Sequence, residues 1–274
     1  TNASQATAAM GFGCSSSKSV DVVDENALQG TTKPRRGLLR GALRRRSEKV
    51  APAPPDTTQR TLMVLGCDGA GKSTLVGAMR GKDLIDPTPT VGFDPHKCVF
   101  KGTQLRLFDV GGGKQIRGIW RSYYAEVHAA IFVVDAADPS RFDEARTLLH
   151  EAYQHEALAG KPLLLLANKQ DLPRAAPAPA IAEALRLHEL GGSSYHVAAG
   201  STNAGAMALL SGGGEGVQGG VGWLLERVTA ELAGLEQRVE RQMAEEKARQ
   251  EKAKEERKAR LAAKRAAKEA AEAE

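Results

Sequence analysis

Residues 66–73 spell Gly66-Cys67-Asp68-Gly69-Ala70-Gly71-Lys72-Ser73, a GxxxxGK[ST] pattern set directly after an aliphatic run and before a helix-like stretch. Gly66, Gly69 and Gly71 let the backbone curl so that successive N–H groups point inward around a phosphate, with Asp68 and Ala70 completing the loop. Lys72 is placed to neutralise β- and γ-phosphates. The Ser73 hydroxyl is placed to meet Mg²⁺, and Thr74 follows in the first helical turn. The surrounding pattern fits. Thr61–Leu65, Leu105–Phe108, Ala130–Val134 and Leu163–Leu166 read as buried strands, and Arg141–Ala159 and Ala178–Glu189 as intervening amphipathic helices. That alternation predicts an α/β fold, a three-layer domain around a mostly parallel sheet. Lys97–Phe100 and Thr103–Val110, joined by Lys101-Gly102, add an antiparallel hairpin.

The rest of the chain divides around this domain. Of 274 residues, 42% are apolar but only 4% aromatic, so the folded part is expected to be smaller than the chain. Residues 1–59 carry nine Lys/Arg against five Asp/Glu, and residues 236–274 carry twelve against ten. The net charge of +5 therefore sits in the extensions, and the middle has no basic footprint for nucleic acid. Residues 51–56 (APAPPD) read as a linker. The boundaries predicted are a disordered basic membrane-targeting segment over 1–59, a nucleotide-binding domain over 60–232, and a charged helix or coiled coil over 233–274. Gly212–Gly222 is too glycine-rich to hold one conformation and is expected to be a mobile insertion. After Trp223 the chain should be helical, with Leu225, Val228, Leu232, Leu235 and Val239 spaced like a coiled-coil seam over two heptads. Cys14, Cys67 and Cys98 cannot all pair, and their spacing fits no zinc site, so a reducing compartment is expected. No apolar run is long enough for a transmembrane helix.

Asn168-Lys169-Gln170-Asp171 follows a strand about a hundred residues after the phosphate loop. A carboxylate at Asp171 can accept from the N1–H and exocyclic amine of guanine, a donor pair that adenine lacks. Asn168 would brace the loop and the Lys169 stem cover the base, which selects GTP/GDP over ATP. Asp109 ends a strand and suits a contact to Mg²⁺ through water. The Gly112 N–H can reach the γ-phosphate, and Thr90 can add a hydroxyl to Mg²⁺ when its loop closes. Two loops that sense the γ-phosphate make a switch.

PTVGF at 89–93, FDVGGG at 108–113, IRGIWRSYY at 116–124, IFVVDAAD at 131–138 and NKQD at 168–171 resemble an Arf-family small GTPase over roughly residues 60–232. The resemblance implies a P-loop GTPase domain with a six-stranded, mostly parallel sheet and helices on both faces. GGG in place of GGQ, RGIW…YYAE and the charged extension resemble the ciliary Arf-like thirteen branch. In Arf proteins a Gln after the two glycines orients the attacking water. Here the position is Gly113, so no catalytic residue is assigned and very slow hydrolysis is expected. By the same resemblance Phe93, Phe108 and Tyr123 match an aromatic effector triad, with Arg117 and Trp120 on that face by position. Guanine O6 would meet a backbone N–H at Ala198-Ala199, with Ala199 as the contact.

Met10-Gly11-Phe12-Gly13-Cys14-Ser15 fits myristoylation at Gly11 and palmitoylation at Cys14 if Met10 is the start, and Arg35–Arg46 supplies a basic second membrane signal. The ciliary branch implies a place at the cytoplasmic face of the ciliary or flagellar membrane. There the chain would act as a guanine nucleotide exchange factor for a second GTPase, Arf-like three. The alternatives are a GTP-holding scaffold that recruits cytoskeletal or transport proteins through its helical tail, an ordinary hydrolysing GTPase, and a P-loop kinase. NKQD weighs against the kinase and Gly113 against rapid turnover.

Overall fold

The computed structural model describes residues 59–82, 90–202 and 216–272, with side chains as far as residue 264. The acylation residues Gly11 and Cys14 and the basic segment lie outside the described residues. Six strands form one sheet: β1 Arg60–Leu65, β2 Phe93–Phe100, β3 Thr103–Val110, β4 Ala129–Asp135, β5 Leu163–Asn168 and β6 Tyr195–Ala199, in the order β2-β3-β1-β4-β5-β6. All neighbours are parallel except β2 and β3. The helices are α1 Lys72–Met79, α2 Phe142–Gln154, α3 Ala178–Ala184, α4 Val217–Ala230 and α5 Leu232–Glu272. No described helix is long and apolar enough to cross a membrane.

The strands form where the aliphatic runs stand, because a parallel sheet covered on both faces needs continuous apolar sequence. β1 and β5 are buried along their whole length. Side chains alternate between two cores. Met63, Leu65, Phe132 and Leu165 pack with Leu149 of α2 on one face, and Leu62, Val64, Ile131 and Leu164 pack with Leu75 of α1 and Leu224 of α4 on the other. The β2–β3 hairpin turns at Lys101-Gly102, both with positive φ (47° and 81°), the backbone that suits the twist of a two-residue connection. Its first strand is longer than the pattern suggests, with pairing from Phe93↔Val110 to Phe100↔Thr103. Pro95 masks it in the sequence, yet Pro is tolerated because β2 is an edge strand.

Other expectations are corrected. The stretch Arg141–Ala159 is a 3-10 turn at Pro139–Arg141 followed by α2, which ends at an extended His155. The stretch Ala178–Glu189 divides at Arg186, which has φ 50°, into α3 and a 3-10 turn at Leu187–Glu189. Gly216–Gly222 is no mobile insertion, since α4 begins at Val217; residues 211–215 lie outside the described ones. The glycines there serve packing. A Cβ on Gly220 would lie 2.7 Å from the Ala198 Cβ and 2.9 Å from Leu164 Cδ1, so only glycine lets α4 approach the sheet this closely. The terminal helix is broken once, at Glu231, between α4 and α5. Leu225, Val228 and Leu235 of the seam join the domain's own core and Val239 is buried as well, so this stretch packs on its own sheet. Arg249 still reaches Glu156 at 3.3 Å, and beyond it the described side chains of α5 are exposed.

Lys161, at the foot of β5, is fully buried, and its Nζ donates to the Tyr124 carbonyl at 2.9 Å. Burial, with a smaller push from the Arg238 guanidinium, lowers its pKa to about 7. Between about pH 7 and the ordinary lysine pKa the unfolded chain holds a proton that the folded chain has shed. Stability should therefore rise with pH across that window. Lys161→Met should flatten this rise in urea midpoints measured from pH 7 to 10. Separately, Gly220→Val should lower stability by about 1–3 kcal/mol through overpacking, read from the same denaturation curves.

Candidate nucleotide site

The carboxyl ends of β1, β3, β4 and β5 open on one edge of the sheet, where ligands bind in open parallel sheets. The loop Gly66–Ser73 leaves β1 and feeds α1. Gly66, Gly69 and Gly71 all have positive φ (137°, 71° and 97°). Two of them also answer a close approach, because a Cβ on Gly66 would meet the Val133 carbonyl at 2.2 Å and one on Gly71 the Asn168 amide nitrogen at 2.2 Å. No side chain caps α1, which leaves the N–H groups of its first turn, at Lys72, Ser73 and Thr74, facing the loop's hollow.

Lys72 is buried in the loop, its Nζ donating to the Cys67 carbonyl at 2.8 Å. Burial pushes its pKa down to about 8, partly opposed by the Asp109 carboxylate. A phosphate placed there would supply the missing counter-charge. Ser73 Oγ and Thr90 Oγ1 lie 2.8 Å apart, and Thr90 Oγ1 donates to Asp109 Oδ2 at 3.3 Å. The other Asp109 oxygen, Oδ1, is buried without a hydrogen-bond partner among the described residues. Two hydroxyls and a carboxylate with an unmet lone pair are the oxygen donors a Mg²⁺ ion takes, directly or through water, so these residues fit that ion.

The loop after β3 is drawn onto both neighbours. Gly111 N–H donates to the Gly92 carbonyl at 2.9 Å, next to Thr90, and buried Trp120 donates through Nε1 to the Gly111 carbonyl at 2.9 Å. At Gly112 a Cβ would come 2.5 Å from both Lys72 Nζ and the Asp68 nitrogen, so the backbone passes directly over the phosphate loop. Gly113 differs: among the described residues a Cβ there would have nothing within 4 Å, which leaves space where a water-orienting side chain could project.

On the base side, Asn168 is fully buried at the end of β5. Its Nδ2 donates to the Ala70 carbonyl at 2.7 Å and to Thr202 Oγ1 at 3.0 Å, and its Oδ1 accepts from the Thr202 N–H at 2.9 Å. Lys169, with φ 64°, pairs with Asp135 at 2.6 Å. Asp171 is exposed and accepts from the Ser201 hydroxyl. This corrects the guanine loop. Ala199 is the last residue of β6, paired with Ala167, whereas the residues that touch the Asn168–Asp171 loop are Gly200, Ser201 and Thr202. The Ala-Ala pair misled because strand β6 continues through it.

The expected effector face is also corrected. Phe108 is fully buried with the Arg106 guanidinium 4.6 Å over its ring, and Trp120 is only 2% exposed. Both pack inside the domain and offer a partner nothing. Phe93 and Tyr123 are half-buried and stacked, 3.9 Å between centroids, with Phe93 edge-on to Phe108 at 4.8 Å. Arg117 turns inward: its Nε donates to the Gly112 carbonyl at 2.6 Å and its terminal nitrogen to Glu144 at 2.8 Å.

Arg117 belongs to a network that sequence patterns did not reveal. Arg141 reaches the Asp68 carboxylate at 2.6 Å, the Asp68 carbonyl at 2.7 Å and Glu144 at 2.9 Å. The Arg141 hydrogen bond holds Asp68 below the usual carboxylate range, and hydrogen bonds from Arg141 and Arg117 do the same for Glu144. In sequence Arg141 and Glu144 look like an ordinary i,i+3 helix pair. The one available signal was position, since Arg141 follows the carboxyl end of β4.

The sequence profile of the ADP-ribosylation factor family matches residues 53–228. The chain belongs to that family, and it is a small GTPase, a GTP-binding switch. It is similar to ADP-ribosylation factor-like protein 13B of Chlamydomonas reinhardtii, 46% identical over 127 residues, which make up 46% of this chain and 24% of that relative. The chain thus spans about a quarter of that protein's length. It is also 36% identical over 170 residues to ADP-ribosylation factor-like protein 1 of Saccharomyces cerevisiae, covering 62% of this chain and 88% of the relative. Among solved structures it is similar to the Trypanosoma brucei Arl6 BBS3 small GTPase with a bound nucleotide analogue, GppNp, at TM-score 0.55 and 29% identity over 63% of this chain and 99% of that one.

Thr202→Val removes the hydroxyl that Asn168 Nδ2 meets and leaves a buried donor unpaired. It should weaken GDP binding by about 1.5 kcal/mol, roughly tenfold in Kd, whereas Ala199→Ser should leave Kd unchanged. Titration with fluorescent GDP separates the two.

Proposed function

We propose that this GTPase is a membrane-tethered switch at the cytoplasmic face of a cilium or flagellum, and that its GTP-bound form is a guanine nucleotide exchange factor for the Arf-like three GTPase. The observation that carries the switch is the meeting of Thr90, Ser73 and Asp109 within hydrogen-bond distance, which ties two loops to the phosphate loop. Ser73, Thr90 and Asp109 would hold Mg²⁺ there, and the ion would supply positive charge to offset that of the phosphates. The γ-phosphate would lie between Lys72 and the Gly112 N–H, and the guanine base between Asp171 and the Lys169 stem. With Gly113 in place of a water-orienting side chain, bound GTP would turn over very slowly, so the on-state is long-lived.

The exchange activity and the ciliary site rest on the likeness to the Chlamydomonas relative, with myristoyl at Gly11, palmitoyl at Cys14 and the basic segment as tether. The partner would read the loops around Thr90 and Gly112, together with Phe93, Tyr123 and the adjoining part of α5. A GTP-holding scaffold for cytoskeletal or transport proteins is the second reading, favoured by the exposed length of α5 beyond Arg249. A switch needs a partner that distinguishes the two nucleotide states, because a ligand that binds both equally shifts nothing.

Release of fluorescent GDP from purified Arf-like three should accelerate when the GTP-bound form is added and not with the GDP-bound form. Thr90→Asn should abolish that difference while the thermal unfolding midpoint stays near that of the parent. Equal action of both forms, or none by either, favours the scaffold.

A further inference from the structure

Trp120 is buried in the same core as Met63, Leu65 and Phe108, and for packing alone another large apolar ring would serve there. An indole also brings one polar atom into that core, and a buried N–H needs an acceptor. Trp120 Nε1 finds it at the Gly111 carbonyl, 2.9 Å away and nine residues back along the chain, at the edge of the nucleotide site. The bond fixes more than the carbonyl. In a trans peptide the C=O and the N–H that follows it lie in one plane and point in opposite directions. With the Gly111 oxygen drawn to the indole, the Gly112 N–H of the same peptide unit is turned away from Trp120.

The peptide units on either side are held as well. The Gly111 N–H donates to the Gly92 carbonyl at 2.9 Å, and the Gly112 carbonyl accepts from Arg117 Nε at 2.6 Å. Three consecutive units therefore each have a partner. Gly112 is buried, yet its N–H has no acceptor among the described residues. A Cβ on Gly112 would lie 2.5 Å from both the Asp68 nitrogen and Lys72 Nζ, so a second N–H and an ammonium group stand beside it. Those are the surroundings an anion takes.

We propose that Trp120 is a positioning residue for the γ-phosphate: through the Gly111 carbonyl it aims the Gly112 N–H, and so sets part of the preference of the switch for GTP over GDP. This rests on the γ-phosphate lying between Lys72 and the Gly112 N–H, as proposed for the switch. GDP carries no γ-phosphate, so the direction of that N–H matters to GTP alone. Without the indole donor the Gly111–Gly112 peptide is free to turn, and its ordering is then charged to GTP binding and not to GDP binding. A Trp120 that merely packed would, on its loss, weaken both nucleotides alike.

Trp120→Phe keeps a ring in the core and removes the donor. With Mg²⁺ present, displacement of fluorescent GDP gives the affinities of parent and variant for GDP and for a non-hydrolysable GTP analogue. Affinity for the analogue should fall about tenfold, while that for GDP is unchanged. Amide resonances read the contact itself. On exchange of GDP for the analogue, the Gly112 proton should move downfield in the parent, as an N–H bonded to phosphate does, and move less in the variant. An equal effect on both nucleotides, or a Gly112 shift in the variant that matches the parent's, overturns the role of Trp120; with the parent's shift present, the γ-phosphate contact still stands. A Gly112 proton that does not move in the parent removes that contact and the proposal with it. If the variant does not fold, the indole proton of Trp120 in the parent, assigned against Trp223→Phe, decides the matter. Slow exchange with solvent in the analogue-bound form is expected, and exchange as fast as that of a free indole overturns the proposal.

Discussion

The site depends first on a single buried amide. Asn168 ends the interior strand β5 and uses both polar atoms of its side chain to join the phosphate loop, through the Ala70 carbonyl, to the loop after β6, through Thr202. The partners are 98 and 34 residues away in sequence, so the amide acts as a cross-link between segments that local structure alone would leave independent. A parallel sheet brings the strand ends to one edge, and Asn168 converts that proximity into a fixed cradle. Buried and fully paired, the amide is strong because no water competes for it.

Around that cross-link, space is reserved by the absence of side chains. Gly71 sits against Asn168, and Gly112 against Lys72 and the phosphate loop, at separations a Cβ could not occupy. Lys72 is buried among carbonyls and carries a depressed pKa, a group short of a counter-charge. On the outer side, Arg117 and Arg141 clamp Asp68 and Glu144, so that the phosphate loop, the loop after β3 and the start of α2 share one charge network. A phosphate entering the hollow meets groups already held in place, and little ordering remains to oppose binding.

Much of this was legible in the sequence, for identifiable reasons. The strands could be read because a sheet covered on both faces demands uninterrupted aliphatic runs, and β1, β4 and β5 consist of little else. The phosphate loop and the Asn168–Asp171 motif could be read because their chemistry is local. What stayed hidden depends on contacts distant in sequence. Pro95 concealed the start of β2, since its tolerance rests on an edge position that only the sheet order reveals. Gly220 read as flexibility, yet it is a packing requirement set by Ala198 and Leu164. Phe108 and Trp120 matched an effector pattern, but burial is a property of the whole domain. Ser201 and Thr202 carry no motif of their own and matter only through Asp171 and Asn168.

The central claim is that the site is assembled for GTP but lacks the group that aims a water at it, Gly113 leaving open space where that group would stand. Single-turnover hydrolysis of GTP preloaded on the purified protein, beside a Gly113→Gln variant, tests this most directly. The account predicts that the parent holds its GTP far longer than a Gln-bearing Arf homologue and that the variant hydrolyses markedly faster. Hydrolysis by the parent as fast as by that homologue would contradict it.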